Sequence, residues 1–287
     1  MLYINDLPDV LVNGSKLYAD DGKVFSEVGV GINTLQIDIN NADEWCKNWS
    51  MELNYQKCVI MHFGSNNPCT IYSVGGFELR TTSAEKDLGI IITKNGKTDQ
   101  QVLAAVTRAN RILGLMRKTF KYFNKKLFKI IYPVFVRPHL EFASSVWSAM
   151  TKSDLKRMES IQRRATRMVM EVKTMDYLER LEELDLTTLE TRRLRGDLIQ
   201  IYKIFNGIDR VSLRKVTKSI TRSHNQQITR ENFKNCPLRN NFLFNRNATT
   251  WNNLPKSVVS SISVNSFKAN LDRHIKSNGL LRVTYLP

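Results

Sequence analysis

The sequence of 287 residues has few of the residue types that mark extracellular or zinc-binding domains. It contains only four cysteines and four histidines. The cysteines form no Cys-x-x-Cys pair, and their spacing matches neither a zinc site nor a disulfide framework. We therefore interpret them as reduced thiols of an intracellular protein, for which nucleus and cytoplasm are both suitable compartments. They are Cys46, Cys58, Cys69 and Cys236.

Long apolar runs are also missing. The segment from Ile130 to Val136 is apolar but contains Pro133, and it is far shorter than the roughly 20 residues that a membrane-spanning helix needs. No signal peptide is visible. We therefore expect no membrane partner. The balance of 42% hydrophobic and 24% charged residues predicts a globular chain rather than a disordered one.

Acidic residues are scarce in the middle of the chain. Residues 108–167 contain 15 Lys and Arg but only 3 Asp and Glu, whereas residues 1–60 contain 4 basic and 9 acidic residues. The whole chain has a formal net charge of +16. Such an excess indicates a polyanionic partner, most often nucleic acid. An acidic start followed by a basic middle predicts a metal-bearing site beside a phosphate-binding surface.

Within the acidic start, one short pattern is the most informative. The segment Leu17 to Phe25 reads Leu-Tyr-Ala-Asp-Asp-Gly-Lys-Val-Phe, with two adjacent aspartates at a turn between apolar runs. This pattern predicts a β-hairpin with a charged tip. Like charges repel there unless a cation is bound, and Mg²⁺ prefers oxygen ligands. Asp20 and Asp21 are thus candidate metal ligands, although an ordinary Asp-Asp-Gly turn is commoner when the pattern is taken alone.

The periodicity of apolar residues predicts a mixed segment followed by helices. Residues 1–95 are expected to hold the hairpin, a helix from Gly31 to Trp49, a second hairpin from Ile71 to Arg80 and a strand from Leu88 to Thr93. Helices are expected from Thr98, from Asn124, over 153–172, twice within 176–206 and over 267–275, with an irregular basic connection at 207–250. Capping boxes are predicted at Thr98–Gln101 and Thr187–Glu190. The predicted domains are 1–95, 96–175 and 176–287.

An ordered series of motifs gives the chain a family resemblance. Tyr18-Ala19-Asp20-Asp21 resembles the Tyr/Phe-x-Asp-Asp box of reverse transcriptases. The flanking and downstream motifs are similar, in order, to those of non-LTR (LINE-type) retrotransposon enzymes of the jockey-like and chicken-repeat-like clades. These motifs are Tyr3–Pro8, Trp45-x-x-x-Trp49, Leu53-Asn54-x-x-Lys57-Cys58, Glu85–Ile90, Val136–Phe142, Trp147-Ser148, Glu159-x-x-Gln162-Arg163-Arg164-Ala165, Arg192-Arg193-x-Arg195-Gly196-Asp197-Leu198 and Trp251-Asn252-x-Leu254-Pro255.

The resemblance implies an α+β fold, with part of a polymerase palm followed by a basic helical thumb and a mostly helical C-terminal region. It implies RNA-directed DNA polymerase activity in the intact protein, which is a two-magnesium nucleotidyl transfer with an RNA template, a DNA primer and dNTP as partners. By the same resemblance, Asp20 would be a metal ligand and Asp21 a supporting carboxylate, while Tyr18 and Ala19 would lie against the primer end.

The resemblance also gives roles to residues outside the box. Lys57 matches the position of the general acid for the departing pyrophosphate, and an ordinary surface lysine at a strand edge is an equal alternative. Leu88 and Gly89 would position the primer strand, and a plain core strand with a tight turn is the alternative for them.

Exposed basic residues on the predicted thumb helices are the candidate phosphate contacts. They lie opposite apolar stripes, where they can bind the nucleic-acid backbone without sequence preference. A solvated helix face is the usual alternative, but the imbalance of charge favours phosphate contact. The candidates are Arg108, Arg111, Arg117, Lys118, Lys121, Arg163, Arg164 and Arg167.

The family palm has a further aspartate well upstream of its box, and this chain begins 19 residues before Asp20. We therefore expect a truncated enzyme that lacks that aspartate and the fingers, binds Mg²⁺ weakly and is inactive as this chain alone. The alternative is a non-catalytic basic helical module, left from a degraded mobile element, that binds nucleic acid or assists assembly. Residues 176–287 offer no chemistry, and Trp251 and Phe267 are expected to be core anchors.

Overall fold

Small two-stranded sheets and longer helices make up the described part of the chain, and the fold is α+β as predicted. The structure is a computed structural model that describes residues 4–29, 32–148, 151–211, 216–217, 224, 226–233 and 236–277. Two compact units are present, Met1–Gly96 and Lys97–Pro287. The second unit covers both of the predicted domains 96–175 and 176–287.

The first unit begins with a short 3-10 helix, Leu7–Val10, and an antiparallel hairpin of β1 (Gly14–Tyr18) and β2 (Asp21–Phe25). Helix α1 (Ile32–Asn48) follows. The expected helix is therefore present, while its expected first residue, Gly31, lies outside the described residues. Leu35 and Trp45 are buried on its inner face, and Trp49 is about half exposed.

The remaining strands of this unit are short. They are β3 (Val59–Ile60), β4 (Ser73–Val74), β5 (Phe77–Glu78), β6 (Arg80–Thr81), β7 (Ala84–Asp87) and β8 (Ile90–Thr93). Strands β4 and β5 form the expected second hairpin, and β3 pairs with β6 in parallel. Gly75, in the turn between β4 and β5, has φ 56°, and a Cβ atom there would lie 2.6 Å from the Tyr55 ring, so only glycine fits this position.

The strand predicted from Leu88 to Thr93 begins two residues late. Asp87 pairs with Ile90, so Leu88 and Gly89 form the two-residue turn between β7 and β8. Both residues have positive φ, 45° and 88°, which is the geometry of a type I′ turn. The prediction was wrong because an apolar Leu was assigned to the strand, whereas the turn geometry exposes it.

The second unit opens with α2 (Asp99–Thr119) and α3 (Lys125–Ile131). A π-helical turn, Tyr132–Val136, then leads into α4 (Arg137–Glu141) without a break. Pro133 has no N–H to donate, which accounts for the irregular turn at this point. Helix α5 spans Lys152–Thr166 and packs with α4 against α2. It ends six residues before the expected end at Val172, where a 3-10 helix, Met170–Val172, lies instead.

The C-terminal half of the unit is also helical. Its helices are α6 (Tyr177–Glu183), α7 (Leu189–Phe205), α8 (Pro237–Asn240), α9 (Leu243–Asn252), α10 (Lys256–Val259) and α11 (Val264–Ser277), with a small sheet of β9 (Val216–Thr217) and β10 (Gln227–Ile228). The predicted irregular connection at 207–250 therefore contains a full helix, α9. Trp251 and Phe267 are completely buried, as expected of core anchors.

The two predicted capping boxes are absent in the form expected. The Thr98 hydroxyl donates to the Ser148 carbonyl, 2.6 Å away, and no side-chain bond caps α2. Helix α7 is capped by Thr188 rather than Thr187, because Thr188 accepts from the Thr191 amide. Among the described helices, none combines the length and the apolar character that a bilayer crossing requires.

Candidate active site and nucleic-acid interface

The Tyr18–Asp21 box lies at the end of the first hairpin, with its acids at the tip. Tyr18 pairs with Asp21, so Ala19 and Asp20 are the two turn residues. Ala19 has φ 56°, in the left-handed region that alanine seldom adopts. Turns of this length usually place glycine there. Asp20 and Asp21 are both exposed, and the predicted hairpin with a charged tip is present.

The two faces of this hairpin differ in character. Leu17 and Val24 point inward and pack against buried clusters that include Leu7 and Leu35. Side chains alternate along a strand, so the opposite face carries Tyr18, Asp21 and Lys23. Tyr18 is 64% exposed. One acid of the box thus shares a solvent-facing surface with an aromatic ring and a cation.

A second hairpin lies beside this surface. Lys23 forms an ion pair with Asp87, the residue that precedes the Leu88–Gly89 turn. Lys23 is two residues beyond Asp21 on the same strand face, which is about 7 Å along a strand. The structure therefore places Lys23 close both to the acidic tip and to the Leu88–Gly89 turn. Leu88 is 47% exposed there.

Lys57 is not joined to the acidic tip. It lies in the turn before β3, exposed to solvent, and its backbone N–H donates to the Asn54 carbonyl at 3.0 Å. Within the described residues its ammonium group makes no ion pair with Asp20 or Asp21. Its role as a general acid stays a prediction.

The described residues do not complete a magnesium site around the tip. They contain no group of three or more Asp, Glu, His or Cys side chains placed to hold a metal ion. Magnesium takes six ligands in octahedral geometry, and two neighbouring carboxylates supply only a minority of them. Mg²⁺ binding by Asp20 and Asp21 therefore stays a prediction, and we derive no chemical step through the ion.

Asp38 is a buried acid that the sequence analysis did not single out. It is fully buried on α1 and accepts from the backbone amides of Val12 and Asn13, at 2.6 and 2.9 Å, and from the Asn13 side chain at 2.7 Å. It fixes the chain just before β1 and so positions the hairpin. The available signal was its place on the apolar stripe of α1, between Leu35 and Ile39.

Another polar cluster lies at the far end of α1. Asp43 accepts from Lys47 at 2.7 Å and from the Tyr55 hydroxyl at 2.8 Å. The hydrogen bond from Lys47 holds the pKa of the Asp43 carboxyl below its ordinary value, and the bond from Tyr55 acts in the same direction. Burial raises the pKa of the neighbouring Cys46 and Cys58 thiols, which keeps them in the unreactive protonated form.

In the second unit, α2 presents cations opposite its buried face. Val102, Ala105, Ala109, Leu113 and Met116 form the buried stripe. The five predicted cations at or just after this helix are exposed and have no ion pair or side-chain hydrogen bond within the described part of the chain. They are Arg108, Arg111, Arg117, Lys118 and Lys121.

The three candidate arginines of α5 are less uniform. Arg164 is exposed, with a long 3.4 Å bond from its Nε to the Ser160 carbonyl, and Arg167 is also exposed. Arg163 is half-buried, and its guanidinium lies 4.5 Å from the centre of the Tyr177 ring. Arg163 thus has an internal aromatic partner that the sequence did not reveal, whereas Arg164 and Arg167 face solvent.

One buried and one largely buried arginine, Arg193 and Arg246, hold the segment 140–147 in place. Arg193 donates to the Leu140 and Trp147 carbonyls at 2.8 and 2.6 Å and stacks 4.0 Å from the Trp147 ring. Burial lowers its pKa to about 10. Arg246 donates to the Ser144 and Ser145 carbonyls at 3.0 and 3.2 Å. We call these two side chains the arginine clamp.

Two carboxylates from the motifs Val136–Phe142 and Arg192–Leu198 form ion pairs with arginines of the second unit. Asp197 makes two 2.9 Å bonds with Arg246, and Glu141 pairs with Arg192. The motif residues in 136–147 and 192–198 are therefore linked to one another inside the second unit. In the described structure these side chains hold neighbouring segments together.

A separate buried network surrounds Glu159. Its carboxylate accepts from the Leu189 amide at 2.9 Å, at the start of α7, and from the Tyr177 hydroxyl. Burial raises the pKa of the Glu159 carboxyl above its ordinary value, although both hydrogen bonds oppose this. Gln162 donates to the Thr187 carbonyl and accepts from Tyr132. The Glu159-x-x-Gln162 motif therefore joins α5 to α7.

Comparisons of the chain with protein-family models, with curated proteins and with solved structures give no match.

Proposed function

We propose that the chain is part of the reverse transcriptase of a non-LTR retrotransposon, with part of the palm in residues 1–96 and the thumb and downstream region in residues 97–277. The observation that supports this most is the placement of two exposed aspartates on a hairpin tip, tied through Lys23 and Asp87 to a second hairpin turn. In this proposal Leu88 and Gly89 contact the primer strand near the acidic tip.

The activity proposed for the chain itself is binding to a primer–template duplex. The five unpaired cations of α2 and its C-terminal end contact phosphates, which carry no sequence information. Arg164 and Arg167 add to this surface. Binding is then insensitive to sequence and weakens steeply with salt, because each neutralised phosphate releases condensed counterions.

The salt dependence gives a direct test with a matched control. Fluorescence anisotropy with a labelled RNA–DNA primer–template, from 50 to 300 mM KCl, gives the slope of log K against log salt. Changing the five α2 cations to Ala lowers the magnitude of that slope by about 4.5, at about 0.9 per phosphate contact. The control variant changes five exposed cations elsewhere and leaves the slope unaltered: Lys173, Arg210, Arg230, Lys256 and Lys276. Equal slopes for the two variants would reject the proposed surface.

Nucleotidyl transfer is not proposed for this chain on its own, because the described residues bring no third acidic side chain to Asp20 and Asp21. Purified protein with primer–template, dNTP and Mg²⁺ is expected to incorporate no nucleotide. Template-dependent incorporation that disappears in Asp20→Ala would overturn this expectation.

The second candidate function is a non-catalytic nucleic-acid-binding or assembly module. The structural use of the downstream motifs favours it, since Arg193, Arg246 and Asp197 hold segments of the second unit together. Reading the genomic DNA upstream of the Met1 codon separates the two. An open frame that encodes a further palm aspartate supports the polymerase, and stop codons or an unrelated exon support the remnant.

A further inference from the structure

The turn between α2 and α3 is the most basic short stretch of the second unit. Residues 117–129, which we call the α2–α3 corner, contain six Lys and Arg and no Asp or Glu. Lys125 is paired with Glu183. The other five are exposed, and they are Arg117, Lys118, Lys121, Lys126 and Lys129.

Tyr122 lies in the middle of these cations and points to solvent. It is 82% exposed, and it has no hydrogen bond or ring contact within the described residues. Its aromatic neighbours behave differently. Phe123 is 3% exposed and packs edge-on against Phe128, with ring centres 6.0 Å apart, and Phe120 lies 5.7 Å from Phe123. The corner therefore buries Phe123 and Phe128 and leaves Tyr122 outside.

The backbone that directly follows Tyr122 is fixed. The Phe123 carbonyl accepts from the Met170 amide at 3.1 Å, and the Asn124 side chain caps α3 by accepting from the Leu127 amide at 2.8 Å. The Lys125 amide donates to Glu171 at 3.2 Å. Tyr122 is thus carried on a braced turn, so little ordering cost arises when a ligand packs against its ring.

A single exposed tyrosine is common on protein surfaces. An exposed ring within a short stretch that carries five exposed cations has a more specific use, since unpaired bases stack on aromatic faces while cations contact the adjoining phosphates. In a duplex the base faces are covered by their neighbours, so a stacking ring contributes only with a single strand.

We propose that the α2–α3 corner binds a single-stranded segment of nucleic acid and stacks one unpaired base on Tyr122. This inference rests on the proposed function, in which the second unit binds nucleic acid. It adds a residue and a ligand class: the duplex contacts the exposed cations of α2, and a strand leaving the duplex contacts Tyr122.

The test uses the full chain and a 12-nucleotide single-stranded DNA with 2-aminopurine at its centre, whose fluorescence falls on stacking. Tyr122→Ala is expected to weaken binding by about 5- to 150-fold and to abolish the quenching, which corresponds to the loss of one stacked base. Tyr122→Phe is expected to keep both the affinity and the quenching. Phe135→Ala, a second exposed aromatic of the same unit, changes neither. Blunt duplex of the same length is bound equally by all variants.

Three results would overturn the proposal. Unchanged single-strand affinity in Tyr122→Ala, with nucleic acid still bound, rejects the stacking site and leaves the proposed function standing. Equal loss for the duplex and the single strand rejects the specificity for unpaired bases. Failure of the wild-type chain to bind either probe rejects the proposed function and this inference together.

Discussion

Lys23 on β2 and Asp87 on β7 form an ion pair that joins two hairpins whose sequences lie far apart in the chain. Lys23 is two residues after Asp21 on the same strand, and Asp87 directly precedes the Leu88–Gly89 turn. Lys23 therefore links the strand that carries Asp21 to the hairpin that carries the Leu88–Gly89 turn.

A double-mutant cycle on Lys23→Met and Asp87→Asn is expected to give a coupling energy of about 0.2–1 kcal/mol. The pair is partly exposed, and such pairs contribute modestly and are screened by salt. Urea unfolding at 50 mM and 1 M NaCl measures it. The cycle of Lys16→Met with Asp87→Asn is the control, because Lys16 lies directly across from Lys23 without a partner in the described residues. Equal coupling in the two cycles would contradict the assignment.

Replacing Ala19 by Gly is expected to stabilise the protein by about 0.5–1 kcal/mol. Alanine at φ 56° bears a steric cost of about 1–2 kcal/mol, and the greater entropy of glycine in the unfolded chain offsets part of the gain. Ala42→Gly, within α1, is the control and should destabilise by about 1 kcal/mol. Thermal or urea unfolding measures the change in unfolding free energy for both variants. A loss of stability in Ala19→Gly would show that the turn is relaxed.

Arg193→Met is expected to cost about 2–5 kcal/mol in the free energy of unfolding. It leaves the buried Leu140 and Trp147 carbonyls without donors and removes the stacking on Trp147. Arg192→Met removes only a partly exposed pair with Glu141, whose side chains are 28% and 25% exposed, and should cost about 1 kcal/mol or less. Urea denaturation compares them. Similar losses for the two arginines would mean that Arg193 is not the main support of the 140–147 segment.

Glu159 should give the stability a distinct pH dependence. Its pKa in the folded state lies above the ordinary 4.5, so between these values the folded protein binds a proton that the unfolded chain releases. The stabilisation from this proton is complete below pH 4.5 and is lost as the pH rises through the folded-state pKa. Unfolding free energies from pH 4 to 8 should fall more steeply in the wild type than in Glu159→Gln. Glu182→Gln, at an exposed position, is the control for the loss of one negative charge. Parallel curves of unfolding free energy against pH for the two variants would contradict the prediction.

Local patterns predicted most of the longer helices, although α9 lies in the stretch that was expected to be irregular. The stripe from Val102 to Met116 gave the buried face of α2, because helical periodicity alone decides which side chains share a face. The first hairpin was likewise visible in the sequence. Its register was not, because Gly22 suggested a turn one residue later, whereas burial of Leu17 and Val24 places Ala19 and Asp20 at the tip.

Contacts between distant segments could not be predicted. Nothing near Lys23 in the sequence indicates Asp87, and nothing near Arg163 indicates the Tyr177 ring. Charge alone assigned Arg163 and Arg164 to the same surface, and only the packing of α6 on α5 separates them. The turn at Leu88 was missed for a related reason, since its hydrophobicity predicted burial that the turn prevents.

The arginine clamp has a consequence for the order in which the chain folds during synthesis. The carbonyls of residues 140–147 emerge from the ribosome well before Arg193, and Arg246 follows later still. Until both side chains arrive, water must satisfy those carbonyls. The end of α4 therefore reaches its final geometry only after translation has passed residue 246.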